Sequence, residues 1–387
     1  MWASSRRALL AALLAVVCAC SRGQTSWLGE PERVAPGIEL YRVSDPGLVD
    51  PPAPVAVHLL KLDPDRVRID SALSHARVME AELVEAIALR EQAIAAINAG
   101  FFNINNGEPT GVLKIAGELV SDSSLMRGIV AIVTGEAGRQ ALHFDQASVR
   151  MALTTVIEGR DMTREIDGVD TTRARGRLML YTPSYHADTD TAARGVEWVL
   201  SGSPLQVTEV RHDAGSTPIP RDGAVLSYGG LEPPEPLGWL EPGSPVTLSA
   251  RWTTAHGLNT ATLERAEHII SGAGLLRRNG RTPGNWHTTE RLKSETFTDA
   301  RHPRTIIGVD GDGAIWLAAV DGRQPDHSVG MTFADLVRLC ERLELRDALN
   351  LDGGGSTTMV VQGTIVNRPS DVGGPRPVSD AIVVRSR

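Results

Sequence analysis

A glycine-rich loop near the C-terminus carries the densest chemical signal of the sequence. The apolar segment ALNLD ends at Asp352 and runs into three glycines and three hydroxyl residues, as NLDGGGSTTMVV. Glycines permit backbone turns with positive φ and bring bare amides against an anion, while hydroxyl groups add donors. We therefore expect Asp352 at the lip of an anion-binding loop, with ligands from Gly353, Gly354, Ser356 and Thr357. The alternative is a tight hairpin with a solvent-facing aspartate.

A second candidate segment, INAGFFNINNGEPTG, follows a predicted buried strand. Asn98 at the end of that strand can offer both a donor and an acceptor to a sugar hydroxyl or acetamido group. Gly100 follows it, and Phe101 or Phe102 can pack on the apolar face of a sugar. The alternative is that both phenylalanines belong to the core.

The third candidate is a predicted hairpin, HPRTIIGVDGDGAIWLAAVDGR, over residues 302–323. Arg304 opens its first strand, and Asp321 and Arg323 close the second. Antiparallel pairing places all three at the same edge of a sheet. Two guanidinium groups near an anion loop predict a bidentate phosphate clamp, whereas solvated surface arginines are the alternative.

Five segments occur in the order NAGFF, PRTIIG, VDGR, LNLDGGGSTTMV and IVNRPSD, followed by Arg376. Together they resemble the phosphodiester glycosidase family over roughly residues 93–384, most specifically from Pro303 onward. The resemblance implies an enzyme without a cofactor. Its matched positions are Asn98, Gly100, Arg304, Thr305, Asp321, Gly322, Arg323, Asp352, Gly353, Gly354, Ser356, Thr357, Asn367 and Arg376. The chain departs from the family pattern at residues 271–276, SGAGLL, where a Gly-Gly-Pro turn is expected.

The family implies hydrolysis of the anomeric C–O bond of a glycosyl-1-phosphodiester. We expect a substrate like an N-acetylglucosamine-1-phosphodiester, within envelope glycan or exopolysaccharide metabolism. The departing phosphate monoester needs little protonation, so the site must chiefly stabilise an anion, and Arg304, Arg323 and the glycine-rich loop are the candidates. Asp352 is the first candidate, and Asp321 the second, for the carboxylate that stabilises an oxocarbenium-like centre or activates water.

Other functions remain open. One is an envelope lipoprotein that binds polysaccharide without catalysis. Another is a phosphodiesterase that breaks the P–O bond, which normally requires two metals held by clustered His and Asp. His287, His302 and His327 lack metal-ligand spacing, and the turn DGDG lacks the other oxygen ligands of a calcium loop, so no metal is expected. A serine hydrolase is disfavoured because GGGST is not the G-x-S-x-G elbow.

The elements that must position these residues are mostly strands. Many short apolar segments separated by turn residues predict an α+β fold, a β-rich domain of mixed sheets with a few helices. Helices are expected over residues 78–91 and 333–343, the second with Thr332 as its cap and Cys340 as a buried thiol on its apolar face. Residues of about 145–250 carry little assignable chemistry and are expected to form an insertion or subdomain.

The N-terminus predicts export. Arg6 and Arg7 precede an apolar run that is too short to span a bilayer, and this run ends Val-Cys-Ala-Cys, which resembles a lipobox with lipidation at Cys20. We expect a signal over residues 1–20, a linker over 21–54, the enzyme domain over 55–387, and a protein anchored by lipid to the bacterial envelope membrane. Ordinary signal cleavage and a soluble product are the alternative. The net charge of -8 argues against a nucleic-acid partner.

Overall fold

The computed structural model describes residues 27–284 and 286–387. The predicted signal, Cys20 and the first part of the predicted linker lie outside these residues. Strands make up 43% and helices 13% of the structure, which confirms the predicted β-rich α+β class.

The strands fall into four sheets and are numbered in chain order. The first twelve are β1 Glu32–Ala35, β2 Ile38–Ser44, β3 Ala56–Leu62, β4 Val67–Leu73, β5 Ala95–Asn98, β6 Leu113–Ile115, β7 Glu118–Ser121, β8 Ser123–Thr134, β9 Gln140–Ile157, β10 Arg160–Glu165, β11 Gly168–Val169 and β12 Leu178–Tyr181. The others are β13 Val196–Ser201, β14 Gln206–His212, β15 Ala224–Tyr228, β16 Val246–Thr254, β17 His268–Ser271, β18 Leu275–Arg277, β19 Arg304–Asp310, β20 Ile315–Val320, β21 Leu345–Asn350, β22 Met359–Val361, β23 Thr364–Ile365 and β24 Asp380–Ser386. The α-helices are α1 Val84–Arg90, α2 Thr260–Arg265, α3 Trp286–Thr289 and α4 Phe333–Arg342.

Two sheets hold the candidate residues. The seven-stranded sheet has the order β1-β2-β3-β20-β19-β21-β18, and a five-stranded sheet has the order β23-β22-β5-β24-β4. Their inward residues share one hydrophobic cluster, in which Ile307 and Leu349 of the first sheet pack with Ile97 and Ile382 of the second. The two sheets therefore form a sandwich, and burial of this apolar surface fixes the positions of the strand ends.

Helix α4 covers the other face of the seven-stranded sheet. Phe333 and Cys340 pack there in a cluster that includes Trp316. The predicted cap is confirmed, because Thr332 Oγ1 accepts from Asp335 N over 3.2 Å and Asp335 Oδ2 accepts from Thr332 N over 3.0 Å. The thiol of Cys340 is buried as predicted, and burial raises its pKa to about 12.

The linker predicted over residues 21–54 is wrong from Glu32 onward. Strand β2 pairs with β3 along its whole length, and Ile38 and Leu40 are fully buried in the central core. The alternation in IELYRV is a strand signal that the surrounding prolines, glycines and charges obscured. The first predicted helix is also shorter than expected, because Glu82, inside its predicted range, pairs with Val378 in an isolated β-bridge.

Two further sheets complete the fold, and residues of both, such as Phe144 and Tyr181, join the same central hydrophobic cluster. One has the order β10-β9-β8-β17-β6-β7, with β16 paired to β9. The other, β11-β12-β15-β13-β14, lies within the middle stretch of about residues 145–250 and has a hydrophobic cluster of its own around Trp198 and Leu226. No helix among the described residues is long and apolar enough to cross a membrane.

Candidate active site

The glycine-rich loop is joined to the ends of both sheets of the sandwich. Asn98 Nδ2, at the end of β5, donates to Asp352 O over 2.7 Å, and Asp352 N donates to Ala99 O over 3.0 Å. Gly354 N donates to Pro303 O over 2.9 Å, immediately before β19. Three stretches that are remote in the sequence therefore meet around Asp352.

Asp352 is a partly buried carboxylate immediately after β21. Its Oδ1 accepts from Gly353 N over 2.9 Å. Burial raises the pKa of Asp352 to about 6, with a contribution from the charge of Asp380, against the opposing effects of Ser356, Gly353 and Arg376. The Ser356 hydroxyl lies near this carboxylate but outside hydrogen-bond geometry. At neutral pH the carboxylate is mostly ionised and is a competent base or nucleophile.

Asp380, the first residue of β24, is a second carboxylate that sequence analysis missed. It is 1% exposed, and its Oδ1 accepts from Gly100 N over 3.1 Å and from Ser379 Oγ over 2.9 Å. Its Oδ2 has no hydrogen-bond partner among the described residues. Burial raises the pKa of Asp380 to about 6. Gly100 therefore lies against this carboxylate, where an added Cβ would be 3.2 Å from Oδ1.

Asn98 and its neighbours form an internal hydrogen-bond network. Asn98 Oδ1 accepts from Thr305 Oγ1 over 2.9 Å and from Thr358 N over 3.2 Å, and Thr305 Oγ1 lies 3.4 Å from Thr357 Oγ1. All four side chains are buried. The polar atoms of Asn98, Thr305 and Thr357 therefore bind other parts of the protein and position the Asp352 loop, and their contact with substrate stays a prediction.

Asp321 also has a positioning role. Its side chain is not exposed, and it accepts from His327 Nε2 over 2.8 Å, Asn367 Nδ2 over 3.0 Å and Arg368 N over 2.9 Å. Burial would raise the pKa of Asp321, but these bonds and His58 outweigh burial and lower it. These contacts all lie within the protein, and the catalytic role of Asp321 stays a prediction.

Asn367 links that carboxylate to the glycine-rich loop. Its Nδ2 donates to both Asp321 Oδ1 and Thr357 O over 3.0 Å, and its Oδ1 accepts from Met359 N over 2.7 Å. The side-chain amide is 9% exposed and fully engaged. Asn367 therefore has a structural role in the same network, and its contact with substrate stays a prediction.

Arg304 is buried beneath the site. Its Nε donates to Met331 O over 2.9 Å, and its Nη2 donates to Phe297 O over 2.5 Å and Ala300 O over 3.0 Å. Burial, with the charge of Arg323, lowers the pKa of Arg304 to about 9. Carbonyl oxygens therefore hold the guanidinium of Arg304, which fastens the loop around residues 297–300, and its part in a phosphate clamp stays a prediction.

Arg323 is exposed and lies over the glycine-rich loop. A Cβ added to Gly354 would be 2.9 Å from Arg323 Nη2, and Arg323 forms no ion pair with any described carboxylate. His302 lies beside it, with Nδ1 3.5 Å from Nη2 and with Nε2 3.0 Å from Thr296 O. Burial and both neighbouring arginines lower the pKa of His302, so Nε2 donates to the carbonyl and neutral Nδ1 faces Arg323.

The loop presents fewer free amides than expected. The amides that donate within the protein are Gly353 to Asp352 Oδ1, Gly354 to Pro303 O, Ser356 to Gly353 O and Thr357 to Gly354 O. The prediction of a bare-amide anion cradle is wrong for these four positions, because the turn uses its own donors. Gly354, with φ of 63°, is the position that requires glycine.

Arg376 lies on the other side of the loop. Its Nη2 is 2.8 Å from Asp371 Oδ2, and both groups pack so closely over Gly355 that an added Cβ would be 2.3 Å from Nη2. Its charge lowers the pKa of Asp352. Arg376 and Arg323 therefore flank the loop that carries Asp352.

A cavity of about 370 Å³ adjoins this cluster. Residues 271–273 of the segment that departs from the family pattern line it, as do Phe101 and Phe297. Ala273 O accepts from Asn350 Nδ2 over 2.9 Å, two residues before Asp352. Phe101 thus faces open space, whereas Phe102 packs on the hydrophobic cluster around α1.

Among residues 27–284 and 286–387, one group has the spacing of metal ligands, namely Asp70, Glu267 and His268. Arg68 already donates to Asp70 over 2.8 Å and to Glu267 over 2.8 Å, and Arg385 donates to Asp70 over 2.6 Å. Arg68 and Arg385 therefore pair with these carboxylates, and the group forms a salt-bridge network.

A strand-end carboxylate flanked by arginines beside a cavity is an arrangement suited to a hydrolase of anionic substrates. Residues 194–385 match the sequence profile of the phosphodiester glycosidases. The chain belongs to this family of glycosidases, as the sequence predicted.

A sequence relative agrees with this placement, and two solved structures share the fold. The N-acetylglucosamine-1-phosphodiester alpha-N-acetylglucosaminidase of Mus musculus is 31% identical over 110 residues, which are 27% of this chain and 21% of the mouse protein. The chain therefore matches about a fifth of the length of that relative. A crystal structure from Synechocystis covers 92% of this chain, and 64% of that chain is covered, with a TM-score of 0.76 and 24% identity. A crystal structure from Burkholderia pseudomallei K96243 covers 86% of this chain, and 74% of that chain is covered, with a TM-score of 0.71 and 23% identity. Both structures show a shared fold.

Proposed function

We propose that the protein hydrolyses the anomeric C–O bond of a glycosyl-1-phosphodiester, with an N-acetylglucosamine-type sugar as the expected donor. The observation that carries this proposal is the position of Asp352, a carboxylate at a strand end between Arg323 and Arg376. Arg323 forms no ion pair with a carboxylate among the described residues, so its guanidinium is available to an anionic substrate. The family membership supports the same reaction class.

The proposed chemistry separates two charges. Water supplies an oxygen to the anomeric carbon, the bond from that carbon to the phosphate oxygen breaks, and the electron pair leaves on the phosphate. Asp352 stabilises the positive charge at the anomeric carbon or takes the proton of the attacking water. Arg323 and Arg376 stabilise the departing phosphate, since fixed cations in a partly dry site act strongly on developing negative charge.

Isotope labelling tests the bond that breaks. The purified protein is incubated with UDP-N-acetylglucosamine and with methyl N-acetylglucosamine-1-phosphate in oxygen-18 water. We expect the label in the released sugar. Label in the phosphate product would instead identify a phosphodiesterase, and binding without release of sugar would identify a binding protein.

Substitution tests the assigned carboxylate. We expect Asp352→Asn to lower kcat by roughly a thousandfold or more, as removal of an essential group commonly does. Asp312→Asn, in an exposed turn of the β19–β20 hairpin, is the matched control and should keep wild-type turnover. A correctly folded Asp352→Asn protein with near-normal kcat would refute the assignment.

We also propose that the protein is exported and held at the envelope membrane through lipid on Cys20. The short apolar run and the residues before Cys20 support this proposal. In cells that express the full chain, the wild type should enter the membrane fraction and incorporate labelled fatty acid, and Cys20→Ser should do neither. Equal membrane recovery of both proteins would contradict the anchor.

A further inference from the structure

The cavity beside the candidate active site has a strongly cationic lining. Arg127, Arg291 and Lys293 contribute to it, and none of its lining residues is acidic. None of these three side chains forms an ion pair or hydrogen bond within the described residues. Three cations without an ion-pair partner among the described residues raise the local concentration of anions in one cavity and favour an anionic occupant.

The acidic groups closest in sequence do not neutralise these cations. Glu290 is 1% exposed, and its carboxylate accepts from the amides of Gly128, Gly274 and Leu275 over 2.9, 2.9 and 2.8 Å. Burial lowers the pKa of Arg127, and the charge of Glu290 partly opposes that effect. Glu290 therefore acts as an anchor that fixes the walls of the cavity while its oxygen atoms face backbone donors.

The cavity is lined by residues that contact or adjoin the residues around Asp352. Thr296, which lines the cavity, accepts from His302, and Phe297 packs 5.2 Å from the guanidinium of Arg304. Phe101 follows Gly100, whose amide binds Asp380. A substrate with its anomeric carbon at Asp352 would therefore extend into this cavity through the group beyond its scissile phosphate.

We propose that the cavity is an aglycone subsite for a group that carries a second phosphate. Two arginines and a lysine can hold phosphate oxygens, and the apolar surfaces of Phe101, Leu292 and Phe297 can pack a ring beside them. The preferred substrates are then glycosyl phosphodiesters of the nucleoside-diphosphate type. This inference rests on the proposed function, because the first phosphate is placed by the reaction at Asp352.

The test compares two substrates in matched variants. UDP-N-acetylglucosamine carries the second phosphate, and methyl N-acetylglucosamine-1-phosphate lacks it. We expect Arg291→Gln and Lys293→Gln each to lower the ratio of kcat/KM for the first substrate over the second by about tenfold, the loss of one charged hydrogen bond. Arg251→Gln, an exposed arginine on β16 outside the cavity, removes the same charge and should keep the wild-type ratio.

The outcomes separate this inference from the proposed function. An unchanged ratio in both cavity variants, with the wild type active on both substrates, would overturn the second-phosphate subsite alone. If the wild type released sugar from neither substrate, the proposed reaction would fail, and calorimetric titration with UDP would decide on the cavity. Weaker UDP binding in Lys293→Gln than in Arg251→Gln would support the subsite, and equal binding would overturn it.

Discussion

Replacement of Asp380 by asparagine should measure how much the buried negative charge of Asp380, close to Asp352, destabilises the folded protein. Burial raises the pKa of Asp380 from 3.8 to about 6, a shift of about two units. Each unit corresponds to ~1.4 kcal/mol, so the ionised side chain destabilises the folded state by ~3 kcal/mol at neutral pH. Asparagine has nearly the same shape, and its Oδ1 can still accept from Gly100 N and Ser379 Oγ.

The sign of the pH dependence follows from proton binding. Between pH 3.8 and about 6 the folded protein keeps the Asp380 proton while the unfolded chain has lost it. The contribution of this group to the free energy of unfolding therefore falls as pH rises through that range, and it stays low above it. Asp380→Asn lacks this contribution, so its stability relative to the wild type should rise by ~2.5 kcal/mol from pH 4 to pH 7.5.

The assay is urea unfolding of both proteins at several pH values in this range. Any constant effect of the amide, including an unpaired Nδ2, cancels when the difference at pH 4 is subtracted from the difference at pH 7.5. Asp312→Asn in an exposed turn is the control. A stability difference between wild type and Asp380→Asn that does not change with pH would refute the raised pKa. The same variant should also lower the pKa of Asp352, because the charge of Asp380 raises it.

Three further predictions concern the reaction and the network around it. The kcat/KM should rise with pH through about 6, because Asp352 must be ionised and its pKa is about 6; a profile that falls through that pH would assign it as a general acid. Arg323→Ala should lower kcat/KM for phosphodiesters by roughly 10- to 100-fold, and an equal loss on aryl glycosides without phosphate would contradict a phosphate contact. Asp321→Asn should destabilise the fold in urea unfolding at neutral pH, because the hydrogen bonds that lower the pKa of Asp321 stabilise the folded state there; this destabilisation should shrink as pH falls below the ordinary range of aspartate, and one that stays unchanged would indicate a packing effect.

Sequence patterns located the region of the site more reliably than the roles of its residues. Asp352 and Arg323 could be found because glycines and paired charges at strand ends are local signals. Arg304 was found by the same signal, yet its role depends on carbonyl oxygens of residues 297–300 and 331, which a hairpin pattern does not contain. Burial reverses the usual expectation that an arginine at a strand end is solvated.

No local sequence pattern indicates Asp380 or the three cations that line the cavity. Asp380 is a single acidic residue at the start of a strand, and its partner Gly100 is 280 positions away. Arg127, Arg291 and Lys293 are ordinary surface residues in the sequence and become a group only when β8 and the segment after α3 adjoin. Long-range strand pairing decides such groupings, and a linear pattern holds no information about it.

Four polar residues around Asp352 have a common structural role. Asn98, Thr305, Asp321 and Asn367 form hydrogen bonds within the protein that fix both ends of the glycine-rich loop. A loop held in this way does not need to reorganise when charge develops on a substrate, and preorganised dipoles and cations are most effective under that condition. The network therefore contributes to the proposed catalysis through the orientation of Asp352 and Arg323. Variants of Asn98 or Asn367 should accordingly lower kcat more than they raise KM, because they disturb the geometry of the reacting groups while the exposed binding surface remains.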